Sequence, residues 1–146
     1  MKINTAIFIF DDVEILDFTG PYEVFSATRL SSKFLSNKNI KEIYAADSPF
    51  NVFTITEKNR SVTTKGGLKV FGDYVFFDSP SIDILLIPGG TGIQNLLKNR
   101  EVISWLKKKT EYRFNIFCLH RFTFIGCCRA FKKQKSLNAL ECKKTS

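Results

Sequence analysis

The chain has 146 residues, 44% of them hydrophobic and 14% aromatic, which suffices for one domain with a real core and gives no expectation of a second. Its net charge of +8 would point to nucleic acid or an anionic membrane. However, residues 1–110 hold 14 Lys and Arg against 12 Asp and Glu, so six of those charges fall in the last 36 residues and the body is nearly neutral.

The four cysteines (Cys118, Cys127, Cys128, Cys142) and the single histidine, His120, also lie in that tail, and the chain changes character near residue 111. The apolar stretch from Thr5 to Phe10 is short and runs into Asp11-Asp12, unlike a secretory signal, and no segment is long enough to span a bilayer. The expected setting is cytoplasmic and reducing, with free thiols rather than a disulfide framework.

In chain order, Ala6-Ile7-Phe8-Ile9-Phe10 is a continuous apolar run, the pattern of a strand buried on both faces of a parallel sheet. Gly20-Pro21 is expected to open a helix through about Leu30, with Glu23 in its first turn facing the positive end of the dipole. Glu42 to Ala46 reads as the second strand. Val52 to Thr56, Val62 to Thr64 and Leu68 to Phe71 are short and β-rich, with Gly66-Gly67 between the last two, which predicts a small antiparallel excursion.

Ile84 to Ile87 reads as a buried strand stopped by Pro88-Gly89-Gly90. Ile93 to Leu97 and Val102 to Lys109 carry helical spacing, and Phe114 to Phe117 reads as one more strand. Alternating units of this kind predict an α/β, flavodoxin-like, doubly wound and mainly parallel sheet, with its site at the carboxyl ends of the strands. There is no internal repeat and no low-complexity linker.

Two segments stand out: Leu16-Asp17-Phe18-Thr19-Gly20-Pro21-Tyr22-Glu23-Val24 and Asp83-Ile84-Leu85-Leu86-Ile87-Pro88-Gly89-Gly90. Together with Thr64-Lys65-Gly66-Gly67-Leu68 and Asp73-Tyr74, they make the chain resemble the ThiJ/PfpI superfamily (class I glutamine amidotransferase-like), in its isonitrile hydratase-like branch, from residue 5 to about 110. On residue chemistry alone, Asp17 reads first as a loop acid stabilised by the N-terminus of the following helix, and Gly89-Gly90 as readily as an ordinary tight turn. The resemblance implies more. Asp17 would be the acid that hydrogen-bonds a cysteine nucleophile and handles its proton, and the Gly89 and Gly90 backbone would stabilise developing negative charge.

The nucleophile itself is displaced. The resemblance requires an elbow of the type Ser-Val-Cys-Thr-Gly-Ser followed by an apolar helix, whereas this chain reads Phe117-Cys118-Leu119-His120-Arg121-Phe122. If the codons from Phe117 are written out degenerately and one nucleotide is dropped, the new triplets permit Ser-Val-Cys-Thr-Gly-Ser-Leu-Leu-Leu-Gly-Ala-Ala-Gly-Leu-Leu-Lys. Ala139-Leu140 then permits His-Trp. The expectation is that residues 1–116 are the N-terminal part of a ThiJ/PfpI-like domain and residues 117–146 a basic tail read out of frame, so that the domain is truncated; a divergent but genuine tail, and a sequencing error over an intact protein, are the alternatives. Cys118 lies one residue before the cysteine of the shifted frame, which makes it the nearest thiol but not the family nucleophile. Cys118, His120, Cys127 and Cys128 also lack the spacing of a zinc site.

The function so implied is cysteine-dependent hydration of an isonitrile to an N-substituted formamide in the intact parent, with the chain as written inactive. A second reading is the ligand-sensing domain of an AraC-type transcriptional regulator. The resemblance implies a small-molecule substrate or ligand and a homodimeric parent. It implies no metal or organic cofactor, and the near-neutral body gives no expectation of nucleic acid or membrane as a partner.

Overall fold

In the computed structural model, residues 2–29, 48–110 and 116–118 are described, the last three and residues 109 and 110 by their backbone only. Strand β1 (Ile3–Phe8) is followed by helix α1 (Ile15–Ala27), β2 (Phe50–Thr56), β3 (Ser61–Thr63), β4 (Lys69–Phe71), β5 (Tyr74–Val75) and β6 (Ile84–Ile87). Helices α2 (Ile93–Lys98) and α3 (Arg100–Thr110) then lead to β7 (Ile116–Cys118).

Five strands form one sheet in the order β5-β2-β1-β6-β7, and every pairing in it is parallel. The apolar run of β1 explains its place at the centre. Ala6, Ile7, Phe8 and Ile9 are fully buried, because a strand with neighbours on both edges and helices on both faces has no wet side. In β1 and β2, Ile3 stands opposite Phe50, so Phe50 shares a face with Ile3, Thr5 and Ile7. Phe25 of α1 meets Phe50 edge-on at 4.8 Å, whereas Trp105 of α3 lies 6.4 Å from Phe8 and stacks on Phe76 at 3.9 Å. Helix α1 therefore covers one face of the sheet and α3 the other.

This is the flavodoxin-like α/β architecture expected from the sequence, with three local corrections. Helix α1 begins at Ile15, not at Gly20-Pro21, and Pro21 lies inside it. Apolar residues at Ile15, Phe18 and Phe25 follow helical spacing, and their packing against the core outweighs the intrahelical hydrogen bond that Pro21 cannot donate. Asp17, and not Glu23, is consequently the acid of the first turn; Glu23 is exposed in mid-helix.

Val52 to Thr56 belongs to β2, a parallel partner of β1, and not to an antiparallel excursion. Its Phe53 and Ile55 are buried in the core, which a two-stranded flap would not offer. Only β3 and β4 form the antiparallel pair, closed by a turn in which Gly67 has φ +84°. The third correction is one of extent: α3 reaches back to Arg100, because the Asn99 Oδ1 accepts the N–H groups of Glu101 and Val102 at 3.0 and 3.3 Å and starts the helix early.

The expected strand over Glu42 to Ala46 lies outside the described residues, as do His120, Cys127, Cys128, Cys142 and the rest of the tail after Cys118. Among the described residues, no helix is long and apolar enough to cross a membrane.

Candidate active site

After β1 the chain passes through Ile9 to Glu14 and turns into α1, while the loop after β6 carries Pro88 to Gly92 directly beside it. Val13 and Gly90 form an isolated antiparallel bridge, and the Glu14 N–H donates to the Gly89 carbonyl at 2.9 Å. This contact is tight enough to dictate glycine. Gly90 has φ +142°, and a Cβ there would lie 2.3 Å from the Asp12 carbonyl oxygen and 2.7 Å from the Val13 Cα.

Asp17 sits on this junction. It is half-buried in the first turn of α1, where the N-cap Glu14 makes no side-chain cap, and its Oδ2 accepts the Gly89 N–H at 3.1 Å. Two of the residues singled out in the sequence, 72 positions apart, thus touch. The geometry also divides the glycine pair. The Gly89 N–H is engaged by Asp17, whereas the Gly90 N–H has no acceptor among the described residues.

Cys118 is the last residue of β7, and its backbone stands opposite Ile87 of β6, two residues before Gly89. The strand end that carries Cys118 therefore adjoins the one that leads to Gly89-Gly90, at the carboxyl edge where ligands of open α/β sheets bind.

Behind Asp17 stands a brace that residue types alone do not reveal. The Asp12 N–H donates to the Thr63 carbonyl and the Thr63 N–H to the Asp11 Oδ1, both at 2.8 Å. The Lys65 N–H donates to the Val13 carbonyl at 3.1 Å, and its ammonium pairs with Glu14 at 3.2 Å. Thr64 is buried, with its Oγ1 accepting the Leu68 N–H at 3.1 Å. The β3–β4 hairpin thereby fixes the loop that delivers Asp17. Asp12, at φ +61°, takes a left-handed conformation that no residue pattern announced.

Residues 3–118 match the DJ-1/PfpI family. The chain belongs to the DJ-1/PfpI family. It is 23% identical over 109 residues to the isonitrile hydratase of Pseudomonas putida, a match that spans 75% of this chain and 40% of that protein. Its fold is similar to the crystal structure of a ThiJ/PfpI family protein from Pseudomonas syringae, with a TM-score of 0.61 at 15% identity over 81% of this chain and 42% of that one. It is also similar to a putative transcriptional regulator protein from Vibrio parahaemolyticus, with a TM-score of 0.57 at 14% identity over 81% and 56% of the two chains. The DJ-1/PfpI chain described here thus spans about two fifths of the hydratase and of the first of these structures.

Proposed function

We propose that this chain carries part of an isonitrile hydratase-like site, with Asp17 as the proton-handling acid, Gly90 as a backbone donor to developing negative charge, and the nucleophilic cysteine of the parent supplied just after β7. The observation that carries this reading is the Asp17–Gly89 contact at 3.1 Å, beside the strand end where that cysteine would stand.

In the parent, the thiolate adds to the terminal isonitrile carbon, Asp17 delivers a proton, and water displaces the sulfur. The net change is addition of one water to give the N-substituted formamide. A backbone N–H at the oxyanion position stabilises such an adduct without a side chain in the way.

In the frame as written, residues 117–146 supply no such elbow, and this chain has no hydratase activity. The family match that ends at residue 118 supports a change of reading frame near that point. Sequencing the gene across codons 110 to 120 tests the frame, and assaying the chain with a simple isonitrile tests the activity. Turnover that disappears on mutation of Asp17 or Cys118 would overturn both claims.

The likeness to the Vibrio parahaemolyticus regulator favours one alternative, a ligand-sensing domain. The DNA downstream in the restored frame separates the two. A short continuation favours the enzyme, and a long one with two helix-turn-helix units favours the regulator. The parent is proposed to be a cytoplasmic homodimer acting on a small molecule, and the exposed apolar residues Leu16 and Val24 of α1 are consistent with a covered helix in that assembly.

A further inference from the structure

A concavity lies on the other face of the sheet from α1. It is a cleft of about 290 Å³ at the carboxyl ends of β1 and β2, closed by the loop after β6 and by α2. Its walls include Phe8, Phe10 and Leu96, and neither Asp17, Gly89 nor Gly90 lines it. A cleft of this size suits a small ligand, and its position is where open α/β sheets bind them.

The ionised groups in its walls are two carboxylates, Glu57 and Asp11, and one ammonium, Lys58, beside neutral Asn and Ser side chains. Both Glu57 carboxylate oxygens are held at 3.0 Å by the Asn99 Nδ2, a single donor group that leaves lone pairs free. Asp11 uses Oδ1 for the Thr63 N–H and keeps its Oδ2. Asn59 and Asn95 add two exposed carboxamides with no side-chain partner among the described residues. The one cation on the rim among the described residues, Lys58, is turned to Glu101 at 2.7 Å, with Glu57 farther away at 3.7 Å. Its positive charge is thus largely spent on a carboxylate outside the cleft.

We propose that this cleft binds a small organic cation, an amine- or guanidine-bearing molecule whose charged end meets Glu57 and Asp11 and whose carbon chain lies on Phe10 and Leu96. The clamp by Asn99 fits the assignment. It fixes the Glu57 carboxylate in place before any ligand arrives, so little side-chain entropy is lost on binding. An anionic ligand would face two carboxylates with no free cation among the lining residues.

The test is isothermal titration of the purified chain with agmatine and, separately, with butyrate as an anion of similar length. Saturable one-to-one binding of agmatine is expected, with none of butyrate. Glu57→Gln, which removes a charge and keeps an acceptor for Asn99, should weaken agmatine about tenfold or more, as loss of a charge-assisted hydrogen bond does. Asn95→Trp fills the cleft from an exposed position one helical turn before Asn99, and it should abolish binding with an unchanged circular dichroism spectrum. No saturable agmatine binding, equal binding of butyrate, or full agmatine affinity in a folded Asn95→Trp chain would overturn the proposal. None of these readouts depends on hydratase activity.

Discussion

The Gly89 N–H donates to the Asp17 Oδ2 at 3.1 Å, joining the first turn of α1 to the loop after β6. One carboxylate thereby serves two ends: it faces the uncapped N-terminus of its own helix and orients a glycine backbone in the candidate site. Asp17→Ala removes the acceptor and should destabilise the chain by about 1 to 2 kcal/mol in urea unfolding, with faster hydrogen exchange at the Gly89 amide. Asp17→Asn keeps an oxygen in place and should lose less. Equal stability of wild type and Asp17→Ala, with unchanged exchange at Gly89, would contradict the contact.

Gly90→Ala tests the closeness of the two loops. The new Cβ would overlap the Asp12 carbonyl oxygen, and its φ of +142° is itself strained for alanine, so the whole junction must shift. A loss of about 3 kcal/mol or more is expected, or failure to fold. A Gly90→Ala chain within about 0.5 kcal/mol of wild type would show that the Val13–Gly90 bridge is not formed in solution.

Asp12 offers the opposite sign. Its φ of +61° costs a residue with a Cβ, and its side chain makes no hydrogen bond or ion pair among the described residues. Asp12→Gly relieves the strain but frees the unfolded chain, so the net gain should be small, up to about 1 kcal/mol, while Asp12→Val should be clearly destabilising. Thermal unfolding of the two variants gives the order directly.

The Lys58 ammonium is held above its ordinary value of 10.5, first by its hydrogen bond to Glu101 and then by the charge of that carboxylate. A raised folded pKa means that this contribution is fully present below 10.5 and is lost as pH climbs through the folded value. The pair is exposed, so the effect is small. Lys58→Met should therefore lower the melting temperature slightly at neutral pH, and the difference should close in strong alkali. A difference that grew with pH would reverse the assignment.

The frame proposal makes a prediction of its own. Removing one nucleotide near the codon of Phe117 should yield a chain that continues through Ser-Val-Cys-Thr-Gly-Ser and holds a reactive thiol of low pKa at a helix N-terminus. Alkylation near neutral pH, altered by Asp17→Ala, is the expected result. A restored frame that closes before the His-Trp pair would end the proposal without any protein being made.

The sequence by itself determined the α/β class, the central burial of Ala6 to Phe10 and the strand at Ile84 to Ile87, and it singled out Asp17 and Gly89, which meet in the structure. These rest on local signals: continuous apolar runs, helical spacing and glycine stops record themselves in consecutive residues. Tertiary packing alone decided the rest. Pro21 reads as a helix opener until Phe18 and Phe25 are seen anchoring the turns on either side, and Val52 to Thr56 reads as a flap strand until β1 is found along its whole edge. The engagement of the Gly89 N–H by Asp17, the left-handed Asp12 and the brace from Thr63 and Lys65 were likewise invisible, because each depends on backbone groups brought together across dozens of residues, and backbone donors and acceptors are the same for every amino acid except proline.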